Sequence, residues 1–64
     1  NMNIEKEVNE FYFLVRKIIH SGILSEREAS HLSIIFADWA MDKLPEKSYK
    51  PDILYDRLLK LINK

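Results

Sequence analysis

Cysteine is absent from this chain of 64 residues, so no disulfide can staple it and no thiolate can hold a metal ion. That absence fits a reducing cytoplasm, and a cytoplasmic protein is the expectation. Net charge is absent as well, because ten basic side chains balance ten acidic ones; a grip on nucleic acid or anionic lipid driven by overall charge is disfavoured. No run approaches the ~20 apolar residues that a membrane span needs, and the amino end lacks the basic and apolar blocks of a secretory leader. Glycine occurs once and proline twice, so turns are few and their positions can be read directly. There is no internal repeat and no low-complexity segment. Residues 1–64 are expected to form a single helical domain, with Asn1 before Met2 read as a tag remnant or as the cut end of a longer protein.

What is present is helical periodicity. From Asn3 to about His20, Ile4, Val8, Phe11, Tyr12, Val15, Ile18 and Ile19 recur on one face, with Leu14 at its margin. Glu5, Glu7 and Glu10 come early and Arg16, Lys17 and His20 late, the order that complements a helix dipole. Gly22 is the only residue free to adopt a left-handed stop, and Ile23 is expected to pack back on the last turn. Leu24-Ser25-Glu26-Arg27-Glu28 then reads as a capping box, in which the Ser25 hydroxyl accepts from a first-turn N–H and the Glu28 carboxylate accepts from the Ser25 N–H. The short connection makes the first two helices an antiparallel hairpin.

The central helix, about 25–44, carries apolar residues on more than one side. Ala29, Leu32, Ser33, Phe36, Trp39 and Ala40 form one arc, and Ile34, Ala37, Met41 and Leu44 continue it, leaving Arg27, His31, Asp38 and Asp42 as a narrow polar stripe. Such a helix needs covering on at least two sides. Pro45 and Pro51 bound a stiff connection that Tyr49 is expected to pin to the body. Pro51 then opens a third helix, whose buried face is expected to comprise Leu54, Tyr55, Leu58, Leu61 and Ile62, with Leu59 flanking. The fold class is therefore all-α, a small three-helix bundle in which a helical hairpin receives a third helix. Two side chains stay outside this account: Phe13, opposite the apolar face of the first helix, and Ile35, beside the polar stripe.

No constellation for catalysis emerges. His31, Asp38 and Asp42 share a face at spacings of seven and eleven residues, too far apart to read as anything but a solvated stripe. Ser21, Ser25, Ser30, Ser33 and Ser48 have no paired histidine and carboxylate and no glycine-rich turn to activate them. The expectation is no enzyme, no metal and no cofactor. Gly22 to Ser33 superficially reads like the opening of a helix-turn-helix, but the next connection is long and proline-bounded. The third helix also interleaves Arg57, Lys60 and Lys64 with Asp52 and Asp56. Residues 43–64 hold six basic and three acidic side chains, a modest local excess that makes nucleic-acid binding the weaker reading.

Protein recognition remains. A chain below the ~70 to 80 residues at which one core suffices is stabilised by burial against a second chain. The sequence therefore points to self-association, in its economical form a two-fold homodimer, or to docking on a partner protein, a regulatory role included, through the outer face of the first two helices. Phe13, Ile34, Ile35 and Met41 are the expected contact residues. The alternative is a small transcriptional regulator contacting DNA.

Leu24-Ser25-Glu26-Arg27-Glu28 with the helix after it resembles small bacterial nucleoid-associated regulators of the Hha type. Later positions fall out of register and the family's preceding short helix is absent, so no function is carried over. The general plan is also similar to that of helical bacteriocin-immunity proteins, which implies a protein-binding role as a second alternative; those proteins are longer, and no residue motif transfers.

Overall fold

The computed structural model describes residues 3–63. They form three helices, α1 (Ile4–His20), α2 (Glu26–Lys43) and α3 (Lys50–Ile62). Each boundary has a local cause. Asn3 caps α1, its Oδ1 accepting from the Lys6 N–H at 3.1 Å. At the other end Gly22 adopts φ 78° and its N–H donates to the Ile19 carbonyl at 3.2 Å. The expected packing of Ile23 does not occur, since this side chain is 75% exposed. The Ser21 hydroxyl donates to the Ile18 carbonyl at 2.5 Å, and the Ile23 N–H donates to Ser21 Oγ at 3.5 Å in place of the direct bond to Ile18 of a Schellman turn.

The Cβ added by Gly22→Ala would meet no atom within 4 Å, so its cost is backbone strain alone. A loss of about 1 kcal/mol is expected, read as a fall of roughly 4–8 °C in Tm for a domain of this size. An unchanged Tm would show that Ser21 alone ends α1.

The capping box forms as expected. The Ser25 N–H donates to Glu28 Oε1 at 2.9 Å, and the Glu28 N–H donates to Ser25 Oγ at 3.1 Å. The backbone bond from Ser25, followed by the bond with its hydroxyl, holds the Glu28 carboxyl below its ordinary pKa of 4.5. Because the folded value is the lower one, this contribution is present above pH 4.5 and fades as pH falls through the folded value. The urea midpoint of Glu28→Gln should therefore lie below that of the parent at pH 6 and approach it at pH 3. A gap that is constant with pH would remove the charge from the account.

α2 ends at Leu44, which is extended and buried, with Pro45 next. Helix α3 starts one residue before Pro51, and the Lys50 N–H donates to Ser48 Oγ at 3.2 Å. Tyr49 does not pin the connection, because it is 78% exposed. That role falls to Pro51, which is buried, and to Lys50, whose Nζ lies 3.4 Å from Glu5 Oε1 at the start of α1.

The core joins Val8, Tyr12 and Val15 of α1 to Phe36, Ala40 and Leu44 of α2 and Leu54 and Leu58 of α3. Phe36 sits at its centre, with ring centroids 5.4 Å from Phe11 and 6.1 Å from Tyr12. Trp39 closes the cluster edge-on to Phe11 at 5.1 Å. The buried face of α2 otherwise carries small residues, Ala29, Ser33, Ala37 and Ala40, which let neighbouring backbones approach. Ser33 is tolerated there because its hydroxyl donates to the Ala29 carbonyl at 2.8 Å. α2 makes its most extensive contact with α3 and touches α1 as well, which is how its two-sided apolarity is covered. On α3 the buried face is narrower than expected: Leu54 and Leu58 are buried, while Tyr55, Leu59, Leu61 and Ile62 are half-buried.

Candidate functional site

Once the bundle has closed, large apolar side chains are left outside it. Phe13 is 58% exposed, Ile34 43%, Ile35 60% and Met41 52%, so none of the four expected contact residues is consumed by the core. Leu14 and Ile53 join them in solvent. Isolated exposed hydrophobes are ordinary; their number in so small a chain is not. The chain exposes 4926 Å² of surface at a mass of 7.6 kDa, whereas compact monomers of that mass expose about 4,300 Å².

The structure divides the four residues rather than gathering them on the outer face of α1 and α2. Ile34 and Met41 lie seven positions apart on α2 and, with Ala37, form one wall of a groove whose other wall is α3. Tyr55 supplies the apolar part of the second wall, and Asp38 and Asp52 stand at the rim. The groove encloses about 260 Å³ and contains no cationic lining residue. Ile35 lies on the same helix next to Ile34.

Phe13 belongs to a different surface. At 100° per residue it falls about 130° from the middle of the arc made by the buried Val8, Tyr12 and Val15, so it projects outward from the bundle. Its ring packs edge-on against Tyr12 at 5.1 Å, which fixes its direction at little entropic cost. A shallow depression beside it is lined by Arg16, Lys17 and His20.

A third groove, about 320 Å³, runs between α1 and α3 and is lined by Tyr12, Arg16, Arg57, Lys60 and Leu61. Sequence reading counts Arg57 and Lys60 but cannot bring Arg16 to them, because that neighbourhood arises only when α3 packs against α1. Lys60 is held by Asp56 of its own helix at 3.0 Å; neither arginine has an ion-pair partner among the described residues.

Among the described residues no three histidine, aspartate or glutamate side chains converge as a metal site, and no helix is long and apolar enough to cross a membrane. Glu7 is half-buried with Oε2 unpartnered. Compared with family models, curated proteins and solved structures, the chain matches none.

Proposed function

We propose that this protein works by binding protein, not by catalysis, and that its contact surface is the apolar side chains the bundle leaves outside. The observation that carries this reading is the exposure of Phe13, Ile34, Ile35 and Met41 beside a complete core. Covering ~300 Å² of such surface contributes several kcal/mol gross at ~25 cal/mol per Å², enough to matter after the entropic cost of association. A photo-crosslinking side chain at position 41, introduced in the native host, should give one discrete adduct of fixed mass, while the same group at Glu26, exposed at the far end of α2 and lining none of the grooves, gives none. Equal labelling at both positions, or none at either, would count against the proposal.

Because these side chains lie outside the fold, replacing Phe13 and Ile35 together by serine should leave helicity unchanged and shift monomer stability by no more than ~0.5 kcal/mol each way. Circular dichroism and a urea titration at low protein concentration check this. A collapse of the helical signal would return both residues to the core.

One observation favours a second reading, a small regulator contacting DNA: Arg16 and Arg57 face one groove from two helices, with Lys60 beside them. Three phosphate contacts would give a slope of about −3 in log affinity against log salt on duplex DNA. Absence of salt-dependent binding removes it.

A further inference from the structure

The two apolar surfaces are opposites in shape and in charge. Phe13 is a knob, an aromatic ring standing off the outer side of α1, and the depression at its foot is lined by Arg16, Lys17 and His20 with no carboxylate. Glu10 lies a turn earlier and does not line it. The α2/α3 groove is a hollow large enough for one aromatic ring, with apolar walls from Ile34, Met41 and Tyr55 and the carboxylates of Asp38 and Asp52 at its edge.

Two-fold pairing is disfavoured at either surface. Groove against groove would set Asp38 and Asp52 of one copy against those of the other, and knob against knob would do the same with Arg16 and Lys17. Like charges brought together and desolvated oppose association, whereas opposite charges favour it and set the register. Knob in groove satisfies both apolar surfaces and both sets of charges at once.

Resting on the reading that the exposed apolar surface serves protein contact, we propose that the occupant of the α2/α3 groove is Phe13 of a second copy of this chain, held by Arg16 and Lys17 against Asp38 and Asp52. No α1 residue lines the groove, and no α2 or α3 residue lines the depression at Phe13, so knob and groove are separate surfaces built on different helices. The contact is therefore head-to-tail: each copy that fills a groove offers an empty groove of its own. Such an interface does not stop at two, and it grows into rings or open chains.

The test is complementation in trans. Phe13→Glu removes the knob and leaves the groove; Ile34→Lys spoils the groove and leaves the knob. Light scattering on the parent protein should show a mean mass that keeps rising with concentration, past twice 7.6 kDa. Each variant alone should stay monomeric, and an equimolar mixture should form a 1:1 dimer and nothing larger. If either substitution disturbs the fold, as judged by circular dichroism, the exposed charges serve instead. Lys17→Glu and Asp38→Lys should each weaken assembly of the parent type at least several-fold, and the knob of the Lys17→Glu variant should bind the groove of the Asp38→Lys variant.

A parent protein that remains monomeric to millimolar concentration overturns the proposal; a discrete adduct to some other protein at position 41 would then leave the wider protein-binding reading standing. A parent that stops at a dimer, with variants that do not complement one another, overturns it in favour of a two-fold pair. Assembly indifferent to both charge reversals also overturns it.

Discussion

Phe36→Ala is expected to leave most of the chain unfolded at 25 °C. Phe36 has no exposed surface and stands at the centre of the aromatic cluster, touching Phe11 and Tyr12 of α1 and, on its own helix, Trp39. Truncating a buried phenylalanine removes its transfer free energy and leaves a cavity, together costing about 3–5 kcal/mol. The edge-to-face contact with Phe11 is lost in addition, contributing about 1 kcal/mol. A domain of this length has only ~3–10 kcal/mol of net stability, and α2 offers mostly alanine and serine nearby to collapse into the hole. A urea titration followed by circular dichroism should show a folded baseline that is short or missing. A variant losing less than about 1 kcal/mol would mean that Phe11 and Trp39 close over the cavity, and that the centre of the core is not where the structure puts it.

How much of this is legible in the sequence depends on whether the deciding interactions are local. The Ser25–Glu28 box, the stop at Gly22 and the ends of α2 follow from bonds within four residues, and they lie where the pattern puts them. Ile23 and Tyr49 depart from expectation because their environment is set by competing groups: the Ile23 N–H meets the Ser21 hydroxyl instead of the Ile18 carbonyl, and a buried proline does the work assigned to Tyr49. The apolar arc of α2 is readable, but not which neighbour covers which part of it. Periodicity therefore groups Phe13 with Ile34 and Met41 on one outer face, and the closed bundle separates them onto different surfaces. The groove between α1 and α3 is hidden for the same reason, since nothing in the sequence brings Arg16 to Arg57.

Charge shows this most plainly. A formal net charge of zero suggests a featureless surface, yet the lining of each groove is of one sign: basic beside Phe13, acidic beside Ile34 and Met41. Net charge governs long-range steering, while contact specificity depends on charges within a Debye length of ~8 Å at physiological salt. A neutral protein can thus carry two complementary surfaces without attracting nucleic acid at a distance.

The faces of α3 supply the second large effect. Leu58→Ala should cost about 2–5 kcal/mol, because Leu58 is fully buried against side chains of both other helices, whereas Ile53→Ala on the same helix, 51% exposed, should fall within ~0.5 kcal/mol of the parent. Helix α3 has 13 residues, a length that is marginal in isolation, so weakening its docking unfolds it instead of releasing an intact helix. That loss would strip α2 of its most extensive neighbour, and α1 alone covers only part of what is exposed. The helical signal should therefore vanish in one cooperative transition, coincident by circular dichroism and by Trp39 fluorescence, with a midpoint shifted to lower urea. Measurements belong at low concentration, where association adds nothing to apparent stability. Two separated transitions, with about a fifth of the chain melting first, would instead make α3 an appendage on a self-sufficient α1/α2 hairpin; the groove between α2 and α3 would then be a place where the chain opens, not a fixed seat for a partner.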